Sequence, residues 1–203
     1  HRAMPATLTP ASAPASEGAH CLKNIASTPE ASGYAPSLHP YRVPDIPVTD
    51  MHGVTQSAIE VLDPSGPVML NFIFTTCKTI CPVLSATFTQ VRTLLGPDAA
   101  ALRYVSVTID PEQDTPAVLR SYARKYNAGE DWRFFTGRRD DIIALQRAFD
   151  ICRGNKMSHL PVTFLRAREG SAWLRIEGFP TALELAREYR ALVQNNPAAD
   201  PRG

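Results

Sequence analysis

Cys77 and Cys81 lie in "FIFTTCKTICP", residues 72–82, separated by three residues and followed at once by Pro82. Thiols this close serve as a static disulfide staple, as a redox couple, or as two thiolate ligands for a soft metal. The usual dithiol redox motif has two intervening residues. Three give a wider loop, able to close a disulfide or to splay both sulfurs toward one ion. Two thiolates leave such an ion under-coordinated, and an imidazole would complete a trigonal site suited to Cu(I). His159 is the candidate third ligand. His1, His20 and His39 fall in a proline-rich stretch and His52 in a turn, whereas His159 directly precedes the strand-like "PVTFL". It stands 159 − 81 = 78 residues beyond Cys81, so no spacing rule ties it to the pair. Taken alone, a loop histidine is more often an ordinary surface residue.

Other groups sit near these. Lys78 places a positive charge between the thiols. Asp110 opens "DPEQD" and is either an outer partner of the site or the turn residue its position suggests. Glu112 and Asp114 read as charges complementing a helix start. Met157 offers a soft sulfur two residues before His159, for copper or for packing.

The elements that must position these residues follow from periodicity. "PVMLNFIF" is continuously apolar, as a strand buried on both faces would be. Cys77 lies just past its end, and crevices at the carboxyl ends of strands are favoured sites in open α/β sheets. After Pro82, Leu84, Phe88, Val91 and Leu95 recur at helical spacing until Gly96-Pro97. That helix start brings unpaired N–H groups and a positive dipole end toward the thiols, which favours thiolate. "RYVSVTID" alternates, with Val105, Val107 and Ile109 on one face and Ser106 and Thr108 on the other. Thr115 caps a helix that opens at Pro116. "WRFFTG" is a strand and Asp140–Phe149 an amphipathic helix. "PVTFLRAREGSAWLRIEGF" reads as two strands turning at Glu169-Gly170, and a last helix runs from near Thr181 to Val193. Ahead of all this, "IPVTDMHGVTQ" predicts a β-hairpin around Gly53. The expected class is α/β, a central mixed sheet flanked by helices, with an N-terminal hairpin. Residues 1–42, rich in Pro, Ala and Ser, read as an arm or linker, 43–195 as the domain and 196–203 as a tail.

Composition narrows the functions. The 203 residues carry a net charge of +1 and 44% hydrophobic side chains. That is enough for a self-sufficient core, without the basic bias that nucleic acid or an anionic membrane would favour. No apolar run reaches transmembrane length. The abrupt start at "HRAMPATLTP" suggests a processed or shortened form.

The whole pattern resembles the Sco/SenC family. The cysteine motif is similar to "FTTCKTICP", a second family motif to "VTIDPEQDTPAVLRSYARKY", residues 107–126, and a third to His159 followed by Phe164-Leu165. Order and separation agree from about Val43 to Val193. The resemblance implies a thioredoxin-like fold and a copper site made by Cys77, Cys81 and His159. It implies delivery of Cu(I) or Cu(II) to the dinuclear copper centre of cytochrome c oxidase, or maintenance of that centre's cysteines in reduced form. Implied partners are the copper-accepting subunit, or another copper enzyme, and thiol reductants. Implied locations are a bacterial periplasm or cell envelope, with a membrane anchor ahead of the arm, or the mitochondrial intermembrane space. One departure stands out: relatives usually carry Asp before the motif histidine, and here Ser158 takes that place. Pro161 rigidifies the loop instead.

Cys21 and Cys152 belong to no family motif. A disulfide between them is expected, pinning the arm near the His159 loop; two independent thiols are the rival. The competing function is a metal-independent thiol-disulfide oxidoreductase using Cys77 and Cys81. A peroxiredoxin-type peroxidase ranks last, because Leu70 and Phe74 occupy the places of its signature Pro and Thr.

Overall fold

The computed structural model describes residues 33–152 and 154–197. In chain order the elements are β1 (Tyr34–His39), β2 (Pro47–Asp50), β3 (Thr55–Ser57), α1 (Ala58–Leu62), β4 (Val68–Ile73), α2 (Ile80–Leu95), β5 (Arg103–Thr108), α3 (Pro116–Lys125), β6 (Trp132–Thr136), α4 (Arg139–Ala148), β7 (Val162–Arg166), β8 (Trp173–Gly178) and α5 (Ala182–Asn195). Eight strands form one sheet in the order β1-β8-β7-β4-β5-β6-β2-β3. β4, β5 and β6 run parallel, and every other pairing is antiparallel. This is the thioredoxin-like α/β arrangement expected, extended at one edge by the hairpin β2–β3.

β4 lies at the centre and is buried at all six positions. Val68, Leu70 and Phe72 join one core layer with α1 and α4. Met69 and Ile73 join the other with α2, α3 and α5. The alternation follows from the two-residue period of a strand. Both faces are covered because β4-α2-β5 and β5-α3-β6 cross over one face, while α4 returns the chain across the other. Burying each large core side chain contributes about 1.5–3 kcal/mol, so this two-sided packing fixes where β4 ends and hence where the cysteines begin.

β5 alternates as expected, but its polar face is also buried. Ser106 donates to Asn71 Oδ1 at 2.5 Å and accepts from Trp132 Nε1 at 2.9 Å. Thr108 belongs to a second polar cluster described below. α3 and α5 start at the threonine caps Thr115 and Thr181, the latter in a reciprocal capping box with Glu184.

Tyr34–His39 differs from the sequence reading. It lies within the stretch expected to be a linker, yet pairs with β8 along its whole length. "YAPSLH" hides its nature because an edge strand half open to water needs no apolar alternation and tolerates Pro36. Gly178 admits this strand. Its φ is +104°, and a Cβ there would meet Gly33 O at 2.5 Å. The short helix α1 was also not foreseen.

Buried Arg175 on β8 ties the chain entering the His159 loop to the sheet. It donates to Phe149 O at 2.8 Å, Asp150 O at 3.3 Å and the Tyr41 hydroxyl at 3.1 Å. Among the described residues, no helix is long and apolar enough to cross a membrane.

Candidate functional site

The exit of β4 is shaped by Asp114. Its carboxylate is fully buried and accepts from Thr75 N–H at 3.0 Å, Thr75 Oγ1 at 2.5 Å and Thr108 Oγ1 at 2.7 Å. A buried carboxylate persists only when hydrogen-bonded in this way. Asp114 is therefore an anchor for the cysteine loop, and not the solvated helix-start charge that its "DPEQD" setting suggested. Cys77 N–H then donates to Phe74 O at 3.1 Å, closing the turn that presents Cys77. α2 begins at Ile80, with Cys81 and Pro82 in its first turn. N–H groups there have no intrahelical partner, so Pro82 forfeits nothing.

The two thiols end in different environments. Cys77 is half-buried and Cys81 wholly buried. Cys81 N–H donates to Cys77 Sγ at 3.5 Å, and Thr79 Oγ1 lies 3.8 Å from the same sulfur. Burial alone raises the Cys77 pKa. The backbone N–H groups of Cys81 and Thr79, helped by the Cys81 thiol and Thr79 hydroxyl, outweigh it and bring the pKa below the ordinary thiol value. Cys81 goes the other way: burial pushes its thiol far up, and the nearby charges of Cys77 and Asp114 add to the effect. The expected help of the helix start thus reaches Cys77 but is overridden at Cys81. Cys81 is buried because it shares one face of α2 with Leu84, Ser85 and Phe88.

His159 closes a short turn. Asn155 Oδ1 accepts from Met157 N–H at 2.9 Å, and Ser158 N–H and His159 N–H donate to Asn155 O and Lys156 O. The imidazole is only 8% exposed, lies edge-on to the Phe74 ring at 6.1 Å, and meets Phe72 O through Nε2 at 2.7 Å. The β4–β7 ladder ends at Asn71↔Thr163, one residue short of Phe72. A carbonyl only accepts, so Nε2 carries the proton and Nδ1 keeps its lone pair. Burial lowers the His159 pKa, with the Phe72 bond opposing in part. The ring is therefore neutral at pH 7, pinned through one nitrogen and able to bind through the other, as ligand histidines are held.

The remaining candidates are placed as follows. Asp110 Oδ2 pairs with Lys156 Nζ at 2.6 Å, which docks the turn before His159 onto the end of β5. Met157 is 76% exposed and so is not packing. The Leu160–Pro161 bond is trans, as all described peptide bonds are. Cys152 is disulfide-bonded; Cys21, its expected partner, lies outside the described residues. The structure brings Cys77 and Cys81 together and docks His159 on the strand that leads to them. Among the described residues, though, no three His, Cys, Asp or Glu side chains are gathered around a common metal position. Sequence reasoning missed Asp114 and Lys156. The threonines at the exits of β4 and β5 were the only hint of the first, and nothing hinted at the second.

Known proteins resemble this chain in sequence and in fold. The SCO1 protein homolog of Bacillus subtilis is 40% identical over 74 residues, covering 36% of this chain and 38% of that protein. A candidate copper-binding protein of Stutzerimonas stutzeri is 37% identical over 83 residues, covering 39% of this chain and 37% of that protein. These matches span under two fifths of the relatives' own lengths. Yeast Sco1 with copper bound superposes with a TM-score of 0.64 at 19% identity, over 80% of this chain and 94% of that one; at that identity the likeness speaks for the fold. The sequence pattern of the family described as SCO1/SenC matches residues 50–194, from the hairpin to the last helix and across every element that shapes the cysteine loop and the His159 turn. The chain belongs to the SCO1/SenC family.

Proposed function

We propose that this chain carries copper on Cys77, Cys81 and His159 and delivers it to the dinuclear copper centre of cytochrome c oxidase. The observation that carries the reading is His159: a buried neutral imidazole, pinned by Nε2 to Phe72 of the strand that ends at the cysteines. With Nε2 committed to the Phe72 carbonyl, Nδ1 keeps the lone pair that a metal would take. Two thiolates and an imidazole suit Cu(I), and one more imidazole or carboxylate from a partner would suit Cu(II). The Stutzerimonas stutzeri relative, described as a candidate copper-binding protein, supports the choice of metal.

The chain's own groups define the steps. Cys77 gives up its proton more readily than an ordinary thiol. Cys81 must give up a proton to bind, so loading releases protons and weakens as pH falls. The three donors are not gathered beforehand, so the Cys77 loop and the His159 turn must close together on the ion. A site that must be closed on its cargo also opens readily, and the cargo leaves by exchange onto the cysteines and histidines of an acceptor. Thiol reductants would keep Cys77 and Cys81 open for loading. A periplasmic or cell-envelope location, or the mitochondrial intermembrane space, fits a chain with a bonded Cys152, because disulfides persist in oxidising compartments.

The thiol asymmetry favours a second reading, thiol-disulfide exchange without metal. The Cys77 thiolate attacks a partner disulfide and expels one partner thiolate. Cys81 then attacks Cys77 Sγ and expels the other sulfur as thiol, its own proton passing to the leaving group. The partner gains two electrons and this chain is left with a Cys77–Cys81 disulfide. Anaerobic titration of the reduced protein with Cu(I) and Cu(II), followed by absorption and paramagnetic resonance, separates the two. Copper bound by the wild type, weakened in His159→Ala and lost in Cys77→Ser/Cys81→Ser supports the chaperone. Disulfide exchange that persists in His159→Ala, with copper binding unchanged, supports the oxidoreductase.

A further inference from the structure

Lys156 belongs to no motif of the sequence, yet it makes three contacts that converge on His159. Its Nζ pairs with Asp110 Oδ2 at 2.6 Å and lies 5.6 Å from the centre of the Phe74 ring. Its carbonyl accepts from His159 N–H at 3.1 Å. The same Phe74 ring has His159 against its edge, and the Phe74 carbonyl holds Cys77 N–H. One short turn therefore fixes a cation and an imidazole on a single aromatic ring, at the point where the cysteine loop departs. The ion pair is a good anchor. Asp110 is mostly shielded, at 14% side-chain exposure, while Lys156 is 37% exposed, so the pair is protected from full solvent screening. Asp110 is itself braced: its N–H donates to Thr108 Oγ1, and its carbonyl accepts from Gln113 and Asp114 N–H. Through Thr108, this brace is shared with Asp114 and so with the cysteine loop.

We propose that the Asp110–Lys156 pair is a positioning clamp. It presses the His159 turn onto Phe74, keeps Nε2 on Phe72 O, and so holds Nδ1 ready for the metal that Cys77 and Cys81 receive. This rests on the copper reading above, and it assigns Asp110 a role through the loop and not on the metal. Without the clamp, the turn is left with its local hydrogen bonds, the Phe72 contact of His159 and the Arg175 bonds at the entrance of the loop. The imidazole then samples both tautomers and several orientations, and each ligation event bears the cost of ordering it.

The test uses Lys156→Met, which keeps an apolar stem over Phe74 without the charge, Asp110→Asn, and Lys156→Arg, which restores the charge. The first readout is long-range proton–nitrogen NMR of the His159 ring in the reduced, metal-free protein. The expected result is one Nε2–H tautomer in the wild type and Lys156→Arg, and a mixture in Lys156→Met and Asp110→Asn. The second readout is Cu(I) affinity by chelator competition. Lys156→Met is expected to weaken binding by about 10-fold, the lower end for losing an outer partner of a ligand. It should add nothing in a His159→Ala background, because coupled residues are not additive. An unmoved ring spectrum in Lys156→Met, or full additivity with His159→Ala, overturns the clamp. If the wild type binds copper no better than Cys77→Ser/Cys81→Ser, the copper reading fails, and the metal-free spectrum still decides whether Lys156 positions His159.

Discussion

Replacing Asp114 with Ala removes the acceptor of three hydrogen bonds, from Thr75 N–H, Thr75 Oγ1 and Thr108 Oγ1. Hydrogen bonds to a charged group contribute about 1.5–3 kcal/mol each, so a simple sum would exceed 4 kcal/mol. Two offsets reduce it. The fully buried carboxylate no longer bears its own desolvation cost, and Thr75, at the edge of the site, regains water. Thr108 regains none, and its hydroxyl stays buried. The net loss is about 2–4 kcal/mol. With a urea slope of roughly 2 kcal/mol/M for a domain of this size, the unfolding midpoint should fall by about 1–2 M at unchanged slope. Asp114→Asn keeps the shape and two of the three acceptances, and should lose less than half as much. The functional counterpart is Cys81. It is shielded in the wild type and should become open to alkylation in Asp114→Ala under native conditions, as the Thr75 turn loosens. A midpoint within about 0.3 M of wild type, with Cys81 still protected, would refute the claim that this carboxylate fixes the cysteine loop.

Three other expectations follow from the site. Iodoacetamide should label Cys77 well before Cys81 in the folded protein, with a Cys77 midpoint below 9.0 that rises in Thr79→Ala as one of its donors is lost; equal labelling of the two thiols would contradict the asymmetry. For His159 the folded pKa lies below the 6.5 of the free group, so the unfolded chain binds the extra proton first. Stability held above pH 6.5 is lost as pH falls below it, and the gap in urea midpoint between wild type and His159→Asn should narrow from pH 7 to pH 5. Non-reducing peptide mapping should recover Cys152 joined to Cys21, and recovery of both as alkylated peptides in the oxidised protein would dismiss that bridge.

How far the sequence could be read depended on whether the signal was local. β4 was legible because both its faces are buried, leaving an uninterrupted apolar run. The hairpin β2–β3 was legible from Gly53, and α3 and α5 from their threonine caps. β1 was not, since its exposed edge position removes the alternation on which strand reading depends. Within the site, the cysteine pair and the candidate histidine stood out by residue type. Their unequal chemistry did not, because it comes from tertiary burial of Cys81 and from N–H groups turned onto Cys77. Asp114 looked like a charge complementing a helix start, and only the folded chain shows its partners to be threonines 39 and 6 residues away. The Phe72 carbonyl that orients His159 is 87 residues distant, and nothing in a linear pattern signals it. Lys156 was invisible for the same reason, its partner Asp110 being 46 residues back.

The central claim is that His159 is a metal ligand and not a packing residue. The most direct measurement is the Cu(I) affinity of reduced His159→Ala against wild type, by anaerobic chelator competition. Loss of an outer partner alone costs about 10–100-fold in affinity, so loss of the ligand itself should cost at least that, with one copper still held by Cys77 and Cys81. An affinity unchanged from wild type would contradict the account, leaving His159 as a buried histidine that braces the end of β4.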